Sequence, residues 1–288
     1  MKPLTLLSIV YVSFASICSG QLESGREARI ERSQARAAAA QTRTVTTVPA
    51  SWWKLPAKAT WQIQYDGDLD LTVDAQIFDV DGFDTEAAEV AKIHAKGAKA
   101  ICYFSAGSYE NWRPDAGKFP AAALGAPMAG WAGERWLDIR RISLLAPVFY
   151  ARLDLCKAKG FDAVEPDNLD GYENKTGFAI SRADQLRFIR WLADAAHARG
   201  LSIGLKNVPE FTIQVLNRFD WALTEDCYAQ HWCGDSSPFI AAGKAVFAVE
   251  YTDNNINFSK FCARAKALKL SPVLKRRSLG VWSRHCPT

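Results

Sequence analysis

Beyond its opening stretch, the 288-residue sequence has no apolar run long enough to cross a bilayer, so no spanning segment is expected. It has only four histidines, His94, His197, His231 and His285. They lie on helical patterns or near cysteines, and none completes a Ser-His-Asp set. No glycine-rich phosphate fingerprint follows the first strand-like run, which counts against a dinucleotide-binding fold. No basic patch is interleaved with aromatics, so nucleic acid is not an expected partner. Cys227, His231 and Cys233 lack a fourth ligand at ordinary spacing, so no metal site is expected.

What is present points outward from the cell. Met1-Lys2, an apolar run from Leu4 to Ile17 and the small residues Ser19 and Gly20 have the layout of a secretory signal over residues 1–20. Cys18 would leave with it, and the other six cysteines form an even set suited to disulfides in an oxidising compartment. Sequence proximity suggests Cys227 with Cys233 and Cys262 with Cys286, leaving Cys102 with Cys156, out of fifteen connectivities open to six cysteines.

The net charge of +4 is unevenly spread. Residues 21–60 carry seven Lys/Arg against three Glu, and residues 275–288 carry four Lys/Arg and no acid. Setting those ends and Lys2 aside leaves residues 61–274 at about −5. An acidic body would attract a cationic ligand to its cleft. Residues 21–50, rich in Ala, Arg, Thr, Ser and Gln, offer little to bury and read as a flexible basic linker. The globular part, residues 51–288, is long enough for one large α/β domain.

Apolar, β-branched or aromatic runs recur eight times, at Trp61–Tyr65, Ala75–Val80, Ala98–Phe104, Phe161–Glu165, Leu201–Leu205, Trp221–Thr224, Ala245–Val249 and Ser271–Leu274. Helical patterns at Thr85–Lys96, Leu144–Lys159, Ser181–Arg199 and Phe258–Leu270 fall between them, with Gly97, Gly160 and Gly200 at the helix ends. This alternation predicts parallel crossovers and a closed (β/α)8 TIM barrel, with a doubly wound open sheet as the alternative. The connection from Ala106 to Arg141 is far too long for an ordinary loop; it either shapes a site or buries its own tryptophans.

In Phe161-Asp-Ala-Val-Glu-Pro-Asp-Asn168 an apolar run stops abruptly in carboxylates. If the strands are parallel, their ends bring Asp79, Asp81, Tyr103, Ser105, Glu165, Asp167, Lys206, Asn207, Glu225, Asp226, Glu250 and Tyr251 to one rim. Two carboxyls in one pocket shift each other's proton affinity, which is what glycosidic cleavage requires of its acid and its nucleophile or base. Alternation puts Ala163, Glu165 and Asp167 on one side of the fourth run and Leu223 with Glu225 on one side of the sixth. Asp167 and Glu225 lie furthest along and are the candidate catalytic pair. Glu165, followed by proline, could instead pair with Lys206 or an arginine.

The segments Ala100-Ile-Cys-Tyr-Phe-Ser-Ala-Gly-Ser-Tyr-Glu-Asn-Trp-Arg113, Trp136–Arg140, Gly160–Asn168, Gly204–Asn207, Glu225–Cys227 and Val249–Tyr251 together resemble glycoside hydrolase family 114. The likeness runs from about Trp52 to about Asp253 in family order. It implies a (β/α)8 barrel, no cofactor, and endo-acting cleavage of α-1,4-linked galactosamine polymers with retention of configuration. Asp167 would then be the nucleophile and Glu225 the acid/base. Asp79, Tyr103, Ser105, Glu165, Asn168, Asp170, Tyr172, Lys206, Asn207, Glu250 and Tyr251 are the candidate substrate contacts. Pro166 and Asp226 depart from the family pattern without removing either catalytic group. The expected partner is a cationic polysaccharide, met by a secreted monomer. The competing readings are a glycosidase acting on another amino-sugar or galactose polymer, and a non-catalytic glycan-binding barrel.

Overall fold

In the computed structural model, residues 51–287 are described. The expected signal and linker lie outside them. All eight expected strands form, with ends displaced by no more than two residues: β1 Trp61–Gln64, β2 Ile77–Asp81, β3 Lys99–Ser105, β7 Ala163–Asp167, β8 Ser202–Lys206, β9 Trp221–Glu225, β10 Val246–Tyr251 and β11 Ser271–Lys275. They pair in that order, each parallel to the next.

A short strand, β12 (Ser283–His285), adds antiparallel to β11, giving a nearly closed, barrel-shaped sheet of nine strands. At the seam between β11 and β1, Trp61 Nε1 donates to the Ser271 carbonyl at 2.9 Å. The chain just before β12 bridges the rest: Tyr65 N donates to Leu279 O at 2.9 Å and Gln62 Nε2 to Val281 O at 2.8 Å.

The long crossover helices are α1 Ala87–Ala95, α2 Ile142–Lys159, α3 Arg182–His197 and α6 Phe258–Leu268; short turns of helix, α4 Thr212–Val215 and α5 Ser237–Ala241, follow β8 and β9. Ser181 and Asp184 close a reciprocal capping box on α3. Gly160 ends α2 with φ 94°, a left-handed cap that turns the chain into β7.

The Ala106–Arg141 connection folds into an antiparallel sheet of its own, in the order β4 (Ser108–Glu110), β6 (Glu134–Leu137), β5 (Leu124–Pro127). Both expectations for it are met in part. Trp136 is buried, whereas Trp112 and Trp131 stay more than half exposed at the rim.

Period-two alternation splits the core in two. Val164, Ile203, Leu205, Ala222, Val246 and Ala248 face the helices. Ala163, Trp221, Leu223, Phe247, Val249 and Val273 fill the barrel interior. Trp61 and Trp221 pack on Phe247 with ring centroids 4.6 and 5.5 Å apart. A Cβ on Gly204 would lie 2.4 Å from the Trp221 indole, so this strand position admits no side chain. The packed lower interior forms a floor, and polar residues begin above it.

The three disulfides are Cys102–Cys156, Cys227–Cys233 and Cys262–Cys286, as proximity suggested. The first ties β3 to α2 on the outside of the barrel.

Candidate active site

A cavity of about 470 Å³ opens at the C-terminal ends of the strands. Its floor is organised by Lys206, the last residue of β8, whose Nζ lies 2.8 Å from Glu165 Oε1, 3.3 Å from Asp167 Oδ2 and 3.3 Å from Glu225 Oε2. Burial alone would pull the Lys206 pKa down. Asp167, Glu165 and Glu225 outweigh it and raise it well above the ordinary value, so the ammonium stays charged.

Exposure separates the three acids. The side chains of Asp167 and Glu225 are each 19% exposed and that of Glu165 not at all, so only the first two can touch a ligand. Both their oxygens sit 3.3 Å from Nζ, so these oxygens are separated by at most twice that distance. That limit accommodates the spacing of retaining carboxyl pairs, about 5–5.5 Å.

The two carboxyls are held differently. Asp167 accepts the Tyr103 hydroxyl on Oδ2 at 3.1 Å and the Asn168 N–H on Oδ1 at 2.7 Å. Burial raises its pKa to about 6, against Lys206 and with help from Glu225 and Glu165. Glu225 accepts the Asn207 amide at 2.7 Å and the Tyr251 hydroxyl. For it, burial is outweighed by Lys206 and by those two hydrogen bonds, and its pKa is lowered. In the free protein the pair's first proton therefore rests on Asp167.

Three consecutive strands deliver these groups by one device. Asp167, Lys206 and Glu225 each end a strand, and the next residue, Asn168, Asn207 or Asp226, turns the chain away at φ 60°, 53° and 57°. Asn and Asp tolerate this left-handed region better than other side chains. At Gly107 the insert presses against the same turn: a Cβ there would lie 1.6 Å from the Asn168 carbonyl oxygen.

The remaining predicted contacts divide by position. Tyr103, Asn168, Asp170, Lys206, Asn207 and Tyr251 line the cavity. Asp79 and Glu165 lie beneath it, fully buried and bridged by the Tyr65 hydroxyl at 3.5 and 3.0 Å. Ser105 is buried and hydrogen-bonds Ser108 and Asn168, supporting the wall rather than forming it. Tyr172 packs edge-on against Phe211 on a 3-10 turn, away from the cavity lining. Glu250 points out of the barrel: its neighbours Val249 and Tyr251 face inward, and its carboxylate accepts the N–H groups of Tyr228 and Ala229 at 2.6 and 3.3 Å.

Sequence reasoning missed Tyr65, Glu110, Arg113, Glu134 and Arg277 as lining residues. Tyr65 closes the first predicted strand at the same rim and was readable there. The others come from the insert and from the strap before β12, where no periodicity announces direction. Among the described residues the one three-ligand group close enough for a metal is Cys227, Cys233 and Glu250, and its sulfurs are joined in a disulfide.

A parallel barrel with its polar cleft at the C-terminal rim is an enzyme scaffold, and the chain's relatives specify which: it is a glycoside hydrolase. The profile of glycoside-hydrolase family GH114 matches residues 42–288, and the chain belongs to that family. The structure is similar to the crystal structure of Aspergillus fumigatus Ega3 in complex with galactosamine, with 38% identity and a TM-score of 0.77 over 82% of this chain and 98% of that one. The glycoside hydrolase domain of PelA from Pseudomonas aeruginosa shares the fold at 15% identity and a TM-score of 0.65, covering 78% of this chain and 98% of that one. An uncharacterized protein of Deinococcus radiodurans is 27% identical over 227 residues, 70% of this chain and 71% of its own.

Proposed function

We propose that this protein is a secreted, endo-acting hydrolase of α-1,4-linked galactosamine polymers that works with retention of configuration. The observation that carries the reading is Lys206, buried and charged, holding Asp167 and Glu225 on one ammonium at the floor of an open cleft. The galactosamine held by Ega3, 38% identical to this chain, supports the choice of sugar.

In this reading Asp167 attacks the anomeric carbon, the glycosidic C–O bond breaks, and Glu225 gives its proton to the leaving oxygen. A water then attacks the same carbon, its proton passes to Glu225, and the bond to Asp167 breaks. Attack requires the proton on Glu225, the reverse of its resting place, so turnover uses the tautomer in which the pair's single proton has crossed. Lys206 remains charged throughout and holds the developing negative charge on whichever carboxyl is ionised.

Endo action is supported by a second hollow of about 520 Å³ that shares Met128, Trp131, Asn168 and Asp170 with the first, so a chain can continue along the rim beyond the catalytic cavity. Secretion is supported by the three disulfides, and no helix among the described residues is long and apolar enough to cross a membrane.

The test is oligosaccharide product analysis on deacetylated α-1,4-galactosamine polymer. Wild-type protein is expected to release a ladder of oligomers, and Asp167→Asn and Glu225→Gln to lower turnover at least about 10²-fold each. Added azide separates the roles. With Asp167→Gly it yields a β-glycosyl azide if Asp167 is the nucleophile, and no such product if Asp167 is the acid.

A further inference from the structure

The insert's sheet places two acids where the fold alone gives no reason for them. Glu110 on β4 and Glu134 on β6 are directly opposite in the antiparallel register, and both line the cavity. Like charges facing each other across a strand pair are destabilising. Their cations are already engaged. Arg113 grips Asp81 with both terminal nitrogens, at 2.9 and 2.6 Å, and Arg152 grips Asp115 at 2.8 and 3.0 Å.

Glu110 meets Arg113 through Oε1 alone, which accepts the Nε–H at 2.9 Å and lies 2.9 Å from Nη2, and its Oε2 is buried without a hydrogen bond. Arg152 approaches that oxygen no closer than 3.8 Å. Glu134 accepts the Ser108 hydroxyl at 2.7 Å and has no cation of its own in contact. The cluster thus sets four carboxylates against two guanidiniums. Asp84, whose side chain is 79% exposed at the cavity edge, adds a further acid. Burial raises Glu110 to about 7 and raises Glu134 as well, so both would bind a cation as they ionise. Trp112 and Trp131, more than half exposed on the same wall, offer flat faces of the kind sugars stack on.

We infer that Glu110 and Glu134 form a recognition site for the primary ammonium of a deacetylated amino sugar, bound in the chain next to the residue being cleaved. The site rests on the galactosamine-polymer reading above and deepens it: it is the place where a free amine is distinguished from an acetamide. The acetyl group removes the charge that the acids need and adds bulk between two buried carboxylates.

The test uses α-1,4-galactosamine oligosaccharides of random partial N-acetylation, with products sequenced by mass spectrometry. Wild-type protein is expected to exclude N-acetylated residues from one position flanking the cut. Glu134→Gln, which leaves the Arg113 and Arg152 pairs intact, is expected to admit them there and to lower kcat/KM on fully deacetylated chains at least about tenfold. Acetylated and free residues tolerated equally at every flanking position by wild-type protein would overturn the site without any variant, as would an unchanged pattern and rate in Glu134→Gln. If wild-type protein cleaves no galactosamine polymer at all, it is the underlying reading that fails, a distinguishable result.

Discussion

The side chains around Lys206 act as one titrating unit. Asp167, pushed up to about 6 by burial, and Glu225, lowered by Lys206 and its hydrogen bonds, share one proton between their two pKa values. The active form of a retaining pair carries exactly that one proton, so kcat/KM should fall as pH rises through about 6 and the proton is lost. It should fall again on further acidification, where Glu225, held below the usual glutamate range by Lys206 and its hydrogen bonds, also protonates. A pH-rate profile that stays flat from pH 6 to 8 would contradict this. The same scale shows what alternation can decode. Carried one strand further, the rule that points Glu165, Asp167 and Glu225 inward also turns Tyr251 in and Glu250 out. Glu250 sits at the right height on the wrong face. No such rule reaches Glu110 or Glu134, whose strands are three and four residues long and lie in a segment punctuated by proline.

The elements that build the cleft are strand ends, and what distinguishes them is how they stop. Asp167-Asn168, Lys206-Asn207 and Glu225-Asp226 are strand-terminal pairs in which the second residue takes positive φ. These dipeptides are visible in the sequence, and a left-handed Asn or Asp after a β-run signals a chain forced to turn sharply at a site. Asn207 also hydrogen-bonds Glu225 twice, from its amide at 2.7 Å and through its carbonyl oxygen to the Glu225 N–H at 2.7 Å. Asn207→Ala should therefore lose both contacts and incur roughly 1–2 kcal/mol of backbone strain. Asn207→Gly should lose the contacts and keep the backbone. Activity should drop in both, and denaturant unfolding should show the alanine variant to be the less stable; equal stability would mean that the turn is not strained. The long barrel strands and helices were legible because their apolar periodicity is sustained over whole elements. The insert's sheet and β12 were not, because strands this short are defined by their partners rather than by their own pattern.

Across the whole molecule, the disulfides join parts that the barrel already brings together. Cys102–Cys156 closes a loop of 54 residues, Cys262–Cys286 one of 24 and Cys227–Cys233 one of only six. In the chain-entropy account their worth grows with loop length, to about 4 kcal/mol for the first and about 2 for the last. Replacing Cys102 and Cys156 by alanine should lower the unfolding free energy more than replacing Cys227 and Cys233, and the reverse order in urea titrations would refute that ranking. The acidic body, the open rim and the family membership support the central proposal, that Asp167 and Glu225 cleave a cationic polysaccharide with retention. The most direct test follows the anomeric configuration by NMR while wild-type protein digests deacetylated α-1,4-galactosamine polymer. New reducing ends are expected to appear first as the α-anomer and to be lost with Asp167→Asn or Glu225→Gln. Reducing ends that appear first as the β-anomer, or an intact polymer, would contradict it.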